Sequence, residues 1–266
     1  MNLLKTAALL VIATGASFTA GAQKAPAYNI VFIGNSITYG ATLPTPALQC
    51  PPFHVVKLLR EKGCTIRYAN CGHSGSTTVD FLPSMQKLFP KVLQAADTLY
   101  NKTTGLVFSI TLGTNDSAIE GPTGAPVSPA QYRENLQQII DSLHRRYPGS
   151  IFVLHRPTWY SPNTYNGARY LAEGLQRLQS YTPELDSLVR THSRYIFKGD
   201  RNAYAFFEQH ATRYLTPEQG HAGVFYLHPN PEGAEKLAKF WADNLQAVMA
   251  VWYRNSARRS PGRLAD

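Results

Sequence analysis

The chain has 266 residues, 44% of them hydrophobic, and a formal charge of +9. This length suits one domain, and the apolar fraction is large enough to build a core, which excludes wholesale disorder. The basic excess comes with no basic helix and no interleaving of aromatic residues with Arg, so no nucleic-acid partner is expected.

The first 22 residues read as an export signal. Lys5 supplies the positive end, Ala7 to Ala13 the apolar stretch, and Ala20-Gly21-Ala22 a small-residue cleavage site. Removing them takes away Lys5 and no acid, leaving +8. The apolar stretch, broken by Gly15 and Ser17, is too short for a bilayer, and no other segment reaches the roughly 20 apolar residues a span needs. The expected location is therefore periplasmic or secreted. Tyr28 to Ile33 is an unbroken apolar-rich run of the kind found in strands buried on both faces. A Pro-rich loop, Leu43 to Pro52, leads to a helix over Phe53 to Lys62, stopped by Gly63. Ile66 to Ala69 reads as a second strand, Val79 to Tyr100 as helical but broken by Pro83 and Pro90, and Leu106 to Leu112 as a third strand.

Ser128-Pro129-Ala130-Gln131 carries the signature of a capped helix start, and Leu136, Ile139, Ile140, Leu143 and Tyr147 form its apolar stripe. Pro148-Gly149 ends it before a fourth strand, Ile151 to Leu154. A helix over Asn166 to Thr191, with a break expected at Thr182-Pro183, precedes a short fifth strand, Tyr195 to Phe197. Asp200 to Val224 reads as a long loop rich in aromatics, a candidate lid. Asn230-Pro231-Glu232 caps a last helix striped by Ala234, Leu237, Ala238, Trp241, Leu245 and Val248. Strands alternating with helices predict a parallel sheet covered on both faces, in one domain over residues 23–253. Residues 254–266, with Arg258, Arg259 and Arg263 among Ser, Pro and Gly, read as a disordered basic tail.

Three cysteines are present. Cys64 and Cys71 bracket a predicted strand and would lie ~23 Å apart, beyond the ~7 Å between alpha carbons that a disulfide allows. A Cys50–Cys71 bridge and three unpaired thiols both stay open.

Four short segments stand where chemistry is expected. Gly34-Asn35-Ser36, Asn70 to Gly75, and Gly113 to Asp116 each follow a predicted buried strand, and His228-Pro229-Asn230 precedes the last helix. A doubly wound sheet builds its site at strand carboxyl ends. Ser, His and convergent amide donors are the parts needed for acyl transfer through a serine nucleophile. The order Ser, Gly, Asn, His resembles the SGNH/GDSL hydrolase family over roughly Ala27 to Tyr253.

The resemblance implies Ser36 as nucleophile, His228 as general base, and an oxyanion hole from the Ser36 and Gly75 amides and the Asn115 side chain, with Gly72 the alternative to Gly75. Asn35 stands where the family carries an Asp of structural role. The larger departure is Phe225, three residues before His228, where members carry the Asp that orients the imidazole. Three readings compete. A backbone carbonyl orients the ring, leaving a Ser36–His228 dyad; another carboxylate, Glu218 or Asp200, takes the role; or the site only binds. The dyad stands first, because Glu218 falls in Pro217 to Gly223, which reads as flexible.

The resemblance also implies an α/β fold, a three-layer α/β/α sandwich on a five-stranded, flavodoxin-like parallel sheet, and no cofactor. No metal site is expected, since His54, His73, His210 and His221 lack ligand spacing. Aromatic side chains after the fourth strand, Trp159, Tyr160 and Tyr165, with Asn163, suit sugar rings. The expected reaction is hydrolysis of short acyl esters, O-acetyl esters of carbohydrates above all, with a small-molecule or glycan ester as substrate. The alternatives are a lipase or thioesterase for longer chains, or a glycan-binding pseudoenzyme.

Overall fold

A computed structural model describes residues 27–101 and 104–259. Five strands form the central sheet: β1 (Ala27–Gly34), β2 (Thr65–Gly72), β3 (Gly105–Thr111), β4 (Ile151–Leu154) and β5 (Ile196–Lys198). Their order is β2-β1-β3-β4-β5, and every pairing is parallel. Ile30 to Ile33 are fully buried, as expected of a strand with neighbours on both edges and helices on both faces.

The short helices α1 (Ser36–Tyr39) and α2 (Pro46–Gln49) precede α3 (Pro51–Glu61). Two single 3₁₀ turns, Val79–Phe81 and Pro83–Met85, lead into α4 (Phe89–Leu99). Pro83 and Pro90 occupy first-turn positions of these elements, so the predicted broken helix is two turns and a helix. α5 (Pro129–Arg146) starts at Ser128, whose side chain accepts from the Gln131 amide. α6 (Leu171–Thr191) runs unbroken through Pro183, because Tyr181 and Leu185 bury the same face on either side of it. The segment expected as a loop after β5 is instead α7 (Ala203–Tyr214) and an antiparallel hairpin, β6 (Leu215–Gly220) with β7 (Gly223–Pro229).

The last helix, α8 (Pro231–Arg259), continues past Tyr253, so 254–259 extend it rather than belonging to a separate tail. Residues 260–266 of the expected tail, and residues 1–22 that read as an export signal, lie outside the described residues. α3 packs with α8, and α5 with α6. The Tyr147 hydroxyl donates to the Leu93 carbonyl and so ties the end of α5 to α4. No helix among the described residues is long and apolar enough to cross a membrane. All three cysteines are free, and the Asn70 amide donates to the Cys50 thiol.

The registers place the site. Gly34 lies level with Gly72 on β2 and with Thr111 on β3. Three strands therefore end flush, and the loops after them open at one point. Here the chain passes from the β1–β2 crossover to the β1–β3 side, the switch point where open α/β sheets bind ligands.

Candidate active site

Ser36 is the first residue of α1, directly after β1. The Asn35 side chain accepts from the Ile37 amide at 3.0 Å and caps this four-residue helix. Asn serves in this role as well as Asp does, so its departure from the family pattern costs nothing here. Gly34 and Gly72 are packing positions: an added Cβ would sit 2.0 Å from the Thr38 hydroxyl oxygen in the first case and 2.4 Å from the Tyr39 amide nitrogen in the second.

Ser36 donates from Oγ to His228 Nε2 across 2.9 Å, and His228 Nδ1 meets Glu218 Oε1 at 2.8 Å. A carboxylate can only accept, so Nδ1 carries the ring proton and Nε2 is left to accept from the serine. Glu218 lies directly across the β6–β7 hairpin from Phe225. The carboxylate thus enters from the neighbouring strand, opposite the position where the family pattern expects Asp. Among the three readings of the sequence, the geometry places a carboxylate at Nδ1, and not a backbone carbonyl.

The hairpin is held from outside. The Ser161 amide donates to the Tyr226 carbonyl at 2.9 Å, and the Tyr226 amide returns a bond to Ser161 Oγ at 2.8 Å. Asn163 Nδ2 donates to the carbonyls of Ala222 and Val224. The His221 amide donates to the Tyr165 carbonyl. The loop after β4 therefore fixes β7 and the hairpin turn, and through the β6–β7 pairing the strand that carries Glu218.

Three amide donors border the same space. The Ser36 amide lies at a helix start, where backbone donors lack intrahelical partners. Gly75 has φ +76°, with nothing within 4 Å of where a Cβ would stand, and its amide meets no partner among the described hydrogen bonds. The Gly72 amide, by contrast, is taken by the Asn70 side chain at 2.9 Å. Asn115 is 3% exposed, and Nδ2 donates to the Ser76 carbonyl at 2.8 Å. Ser36, Gly75, Asn115 and His228 line one cavity of about 510 Å³.

Residues 32–236 match the model of the GDSL-like lipase/acylhydrolase family. The chain belongs to this family. Its fold is similar to that of Est24, a carbohydrate acetylesterase from Sinorhizobium meliloti, at 16% identity and a TM-score of 0.58, over 83% of this chain and 99% of that one. It is also similar to a lipase/acylhydrolase from Enterococcus faecalis, at 16% identity and a TM-score of 0.55, over 83% and 96% of the two chains. A two-domain esterase active on acetylated mannans matches at 19% identity and a TM-score of 0.53, over 84% of this chain and 50% of that one. No curated protein sequence is similar enough to match. The chain is a hydrolase of the SGNH/GDSL type.

Other residues of this hydrolase that the sequence singled out lie elsewhere. Asp200 does not reach His228; its carboxylate accepts from the Asn202 and Ala203 amides at the start of α7. The Asp200 amide donates to His155 Nδ1, and His155 Nε2 pairs with Ser109. That Ser-His-Asp grouping is structural. It is buried, and burial together with nearby Arg201 holds the imidazole neutral, down to about 3. Trp159 and Tyr160 are buried in the core, and Tyr165 packs on His221, so these rings do not form the expected sugar-facing surface. Among the described residues no group of three or more His, Cys, Asp or Glu could hold a metal ion.

Sequence reasoning missed several groups around the cavity. Asp80 is buried and ion-paired with Lys87 at 2.6 Å on the cavity wall. Thr123 and Asn166 add polar atoms to the lining. Asp116 is wholly buried, and one of its carboxylate oxygens accepts from the Thr78 amide and hydroxyl. Burial pushes that carboxyl up to about 6 against the pull of Thr78. The sequence named Asp116 as the last residue of the Gly113 to Asp116 segment but gave it no role. Nothing local marks Asp80 or Thr123, since neither belongs to a recognisable motif.

Proposed function

We propose that this hydrolase cleaves short-chain acyl esters, O-acetyl groups on carbohydrates in particular, through an acyl-enzyme on Ser36. The observation that carries the reading is the unbroken series of hydrogen bonds from Ser36 Oγ through His228 to Glu218, opening on a cavity with three amide donors. His228 takes the serine proton as Oγ attacks the ester carbonyl, and the Glu218 carboxylate holds the ring and stabilises the imidazolium that forms. The developing oxyanion is met by the Ser36 and Gly75 amides and by Asn115 Nδ2. His228 returns the proton to the leaving alcohol. Water, deprotonated by the same imidazole, then releases the acid and restores Ser36.

The lining favours a short acyl group on a hydroxyl-rich alcohol. His73, Ser74, Lys87, Thr123 and Asn166 offer polar atoms where a lipid chain would want an apolar trough. The acetylesterase named among the similar folds, and the esterase active on acetylated mannans, point the same way. Export rests on residues 1–22. The test is acetate release from acetylated mannan and from nitrophenyl esters of increasing chain length. Wild type releases acetate and loses activity beyond a few carbons, and Ser36→Ala falls to background. Equal rates in wild type and Ser36→Ala end the reading, and a preference for long chains replaces it with a lipase or thioesterase.

A further inference from the structure

Asn115 can serve an oxyanion only if its amide faces the right way. One end of the amide lies 2.8 Å from the Ser76 carbonyl oxygen, which cannot donate, so that end is Nδ2. The opposite end, Oδ1, meets the Tyr170 hydroxyl at 2.6 Å, and a phenol beside an amide oxygen donates to it. The two clamps hold both ends of one planar group. One Nδ2 hydrogen is spent on Ser76, while the other meets no partner among the described hydrogen bonds. Removing the Tyr170 clamp leaves Oδ1 without its donor and the amide held only at Nδ2, free to swing about that one bond and carry its second hydrogen off the line to the oxyanion.

Tyr170 is itself held firmly. It is 3% exposed, its ring meets the edge of Tyr160 at 5.4 Å between centroids, and the Tyr160 hydroxyl pairs with Ser117 at 2.8 Å. The Tyr170 and Leu171 amides both donate to the Thr164 carbonyl. Leu171 takes φ +53°, a left-handed conformation unusual for a branched apolar residue. The chain thus accepts local strain at the residue next to Tyr170, where α6 begins, and strain of this kind gathers at sites whose geometry is over-determined. Burial also raises the phenol above its ordinary range, so the hydroxyl keeps its proton throughout the working pH range.

Resting on the hydrolase reading above, we infer that Tyr170 is a positioning residue: its hydroxyl orients the Asn115 amide so that the free Nδ2 hydrogen is aimed at the oxyanion. The loop after β4 then serves both halves of the site, since it also braces the hairpin that carries Glu218 and His228. The group acts through Asn115 and makes no bond to the reacting atoms.

The experiment is a double-mutant cycle on kcat and KM for nitrophenyl acetate, with Ser36→Ala as the blank. Losing one oxyanion donor outright costs roughly a hundredfold to a thousandfold in kcat. Tyr170→Phe, which loses only the aim, is expected to lower kcat by roughly tenfold to a hundredfold, with KM within about twofold. In an Asn115→Ala background, Tyr170→Phe should change kcat by less than about twofold, since contacting residues acting as a unit are not additive. Independent losses that multiply in the double variant overturn the inference, as does an unchanged kcat in Tyr170→Phe or a loss confined to KM. If Tyr170→Phe fails to fold, the comparison of Asn115→Ala with the double variant still decides. Removing both partners leaves no orphaned acceptor, and a further tenfold fall in the double variant overturns the inference. A wild type without Ser36-dependent turnover defeats the reading of the site itself. Ser36-dependent turnover indifferent to Tyr170 defeats only this inference.

Discussion

Glu218→Gln keeps the size of the side chain and removes its charge. In the wild type the carboxylate accepts from His228 Nδ1 at 2.8 Å, with the two side chains 20% and 10% exposed. An imidazolium and a carboxylate with charge centres about 4 Å apart interact by about 4 kcal/mol at the effective dielectric of about 20 that suits such partly buried pairs. That imidazolium exists fully only after Ser36 has given up its proton, so the loss falls on the transition state and not on substrate binding. At 1.36 kcal/mol per decade, kcat should fall by about a thousandfold with KM little changed. Gln can also turn its amide nitrogen towards Nδ1, which forces the wrong tautomer and deepens the loss. The assay is initial-rate hydrolysis of nitrophenyl acetate by wild type, Glu218→Gln and Ser36→Ala. A Glu218→Gln enzyme within about fivefold of wild type, beside an inactive Ser36→Ala, would falsify the carboxylate's role and restore the dyad reading.

Two further predictions concern the supports of the site. Asp116 titrates at about 6 in the fold against 3.8 ordinarily. Its protonated form is thus favoured in the native state, and the stability it contributes is present below pH 3.8 and lost as pH rises through about 6. Asp116→Asn lacks this slope, so the variant should gain up to ~3 kcal/mol on wild type between about pH 4 and pH 7; urea denaturation of both proteins across that range, with a difference that stays flat, refutes it. Asn35→Ala removes the cap of α1 and should cost about 1 kcal/mol in the same assay, whereas Asn35→Asp keeps the cap and stays near wild type. An Ala variant as stable as wild type would mean that the bond to the Ile37 amide does not anchor the helix that starts at Ser36.

Much of the fold was legible because its signals are local. The runs Tyr28 to Ile33 and Leu106 to Thr111 are strands because they are buried on both faces, and Ser128 and Asn230 open helices by accepting backbone amides within their own turn. The family pattern also brought Ser36, Gly75, Asn115 and His228 into view, and the flush ends of β1, β2 and β3 bring their loops to one point. The segment from Asp200 to Val224 was misread for the opposite reason. Leu215-Thr216-Pro217-Glu218-Gln219-Gly220 has a proline, a glycine and little β propensity, so alone it reads as loop. It is a strand because β7 pairs with it, and because Ser161, Asn163 and Tyr165, some sixty residues earlier in the chain, hold that hairpin in place.

The sequence by itself determined the layers and the parallel sheet, since these depend on periodicity and on caps spanning a few residues, while the order of Ser36, Gly75, Asn115 and His228 was legible only as a resemblance to a known family. Which carboxylate meets His228, and which hydroxyl turns the Asn115 amide, only the tertiary structure decided. Both depend on side chains delivered by hydrogen bonds between segments distant in the chain, and such bonds leave no trace in the spacing of residues on either side.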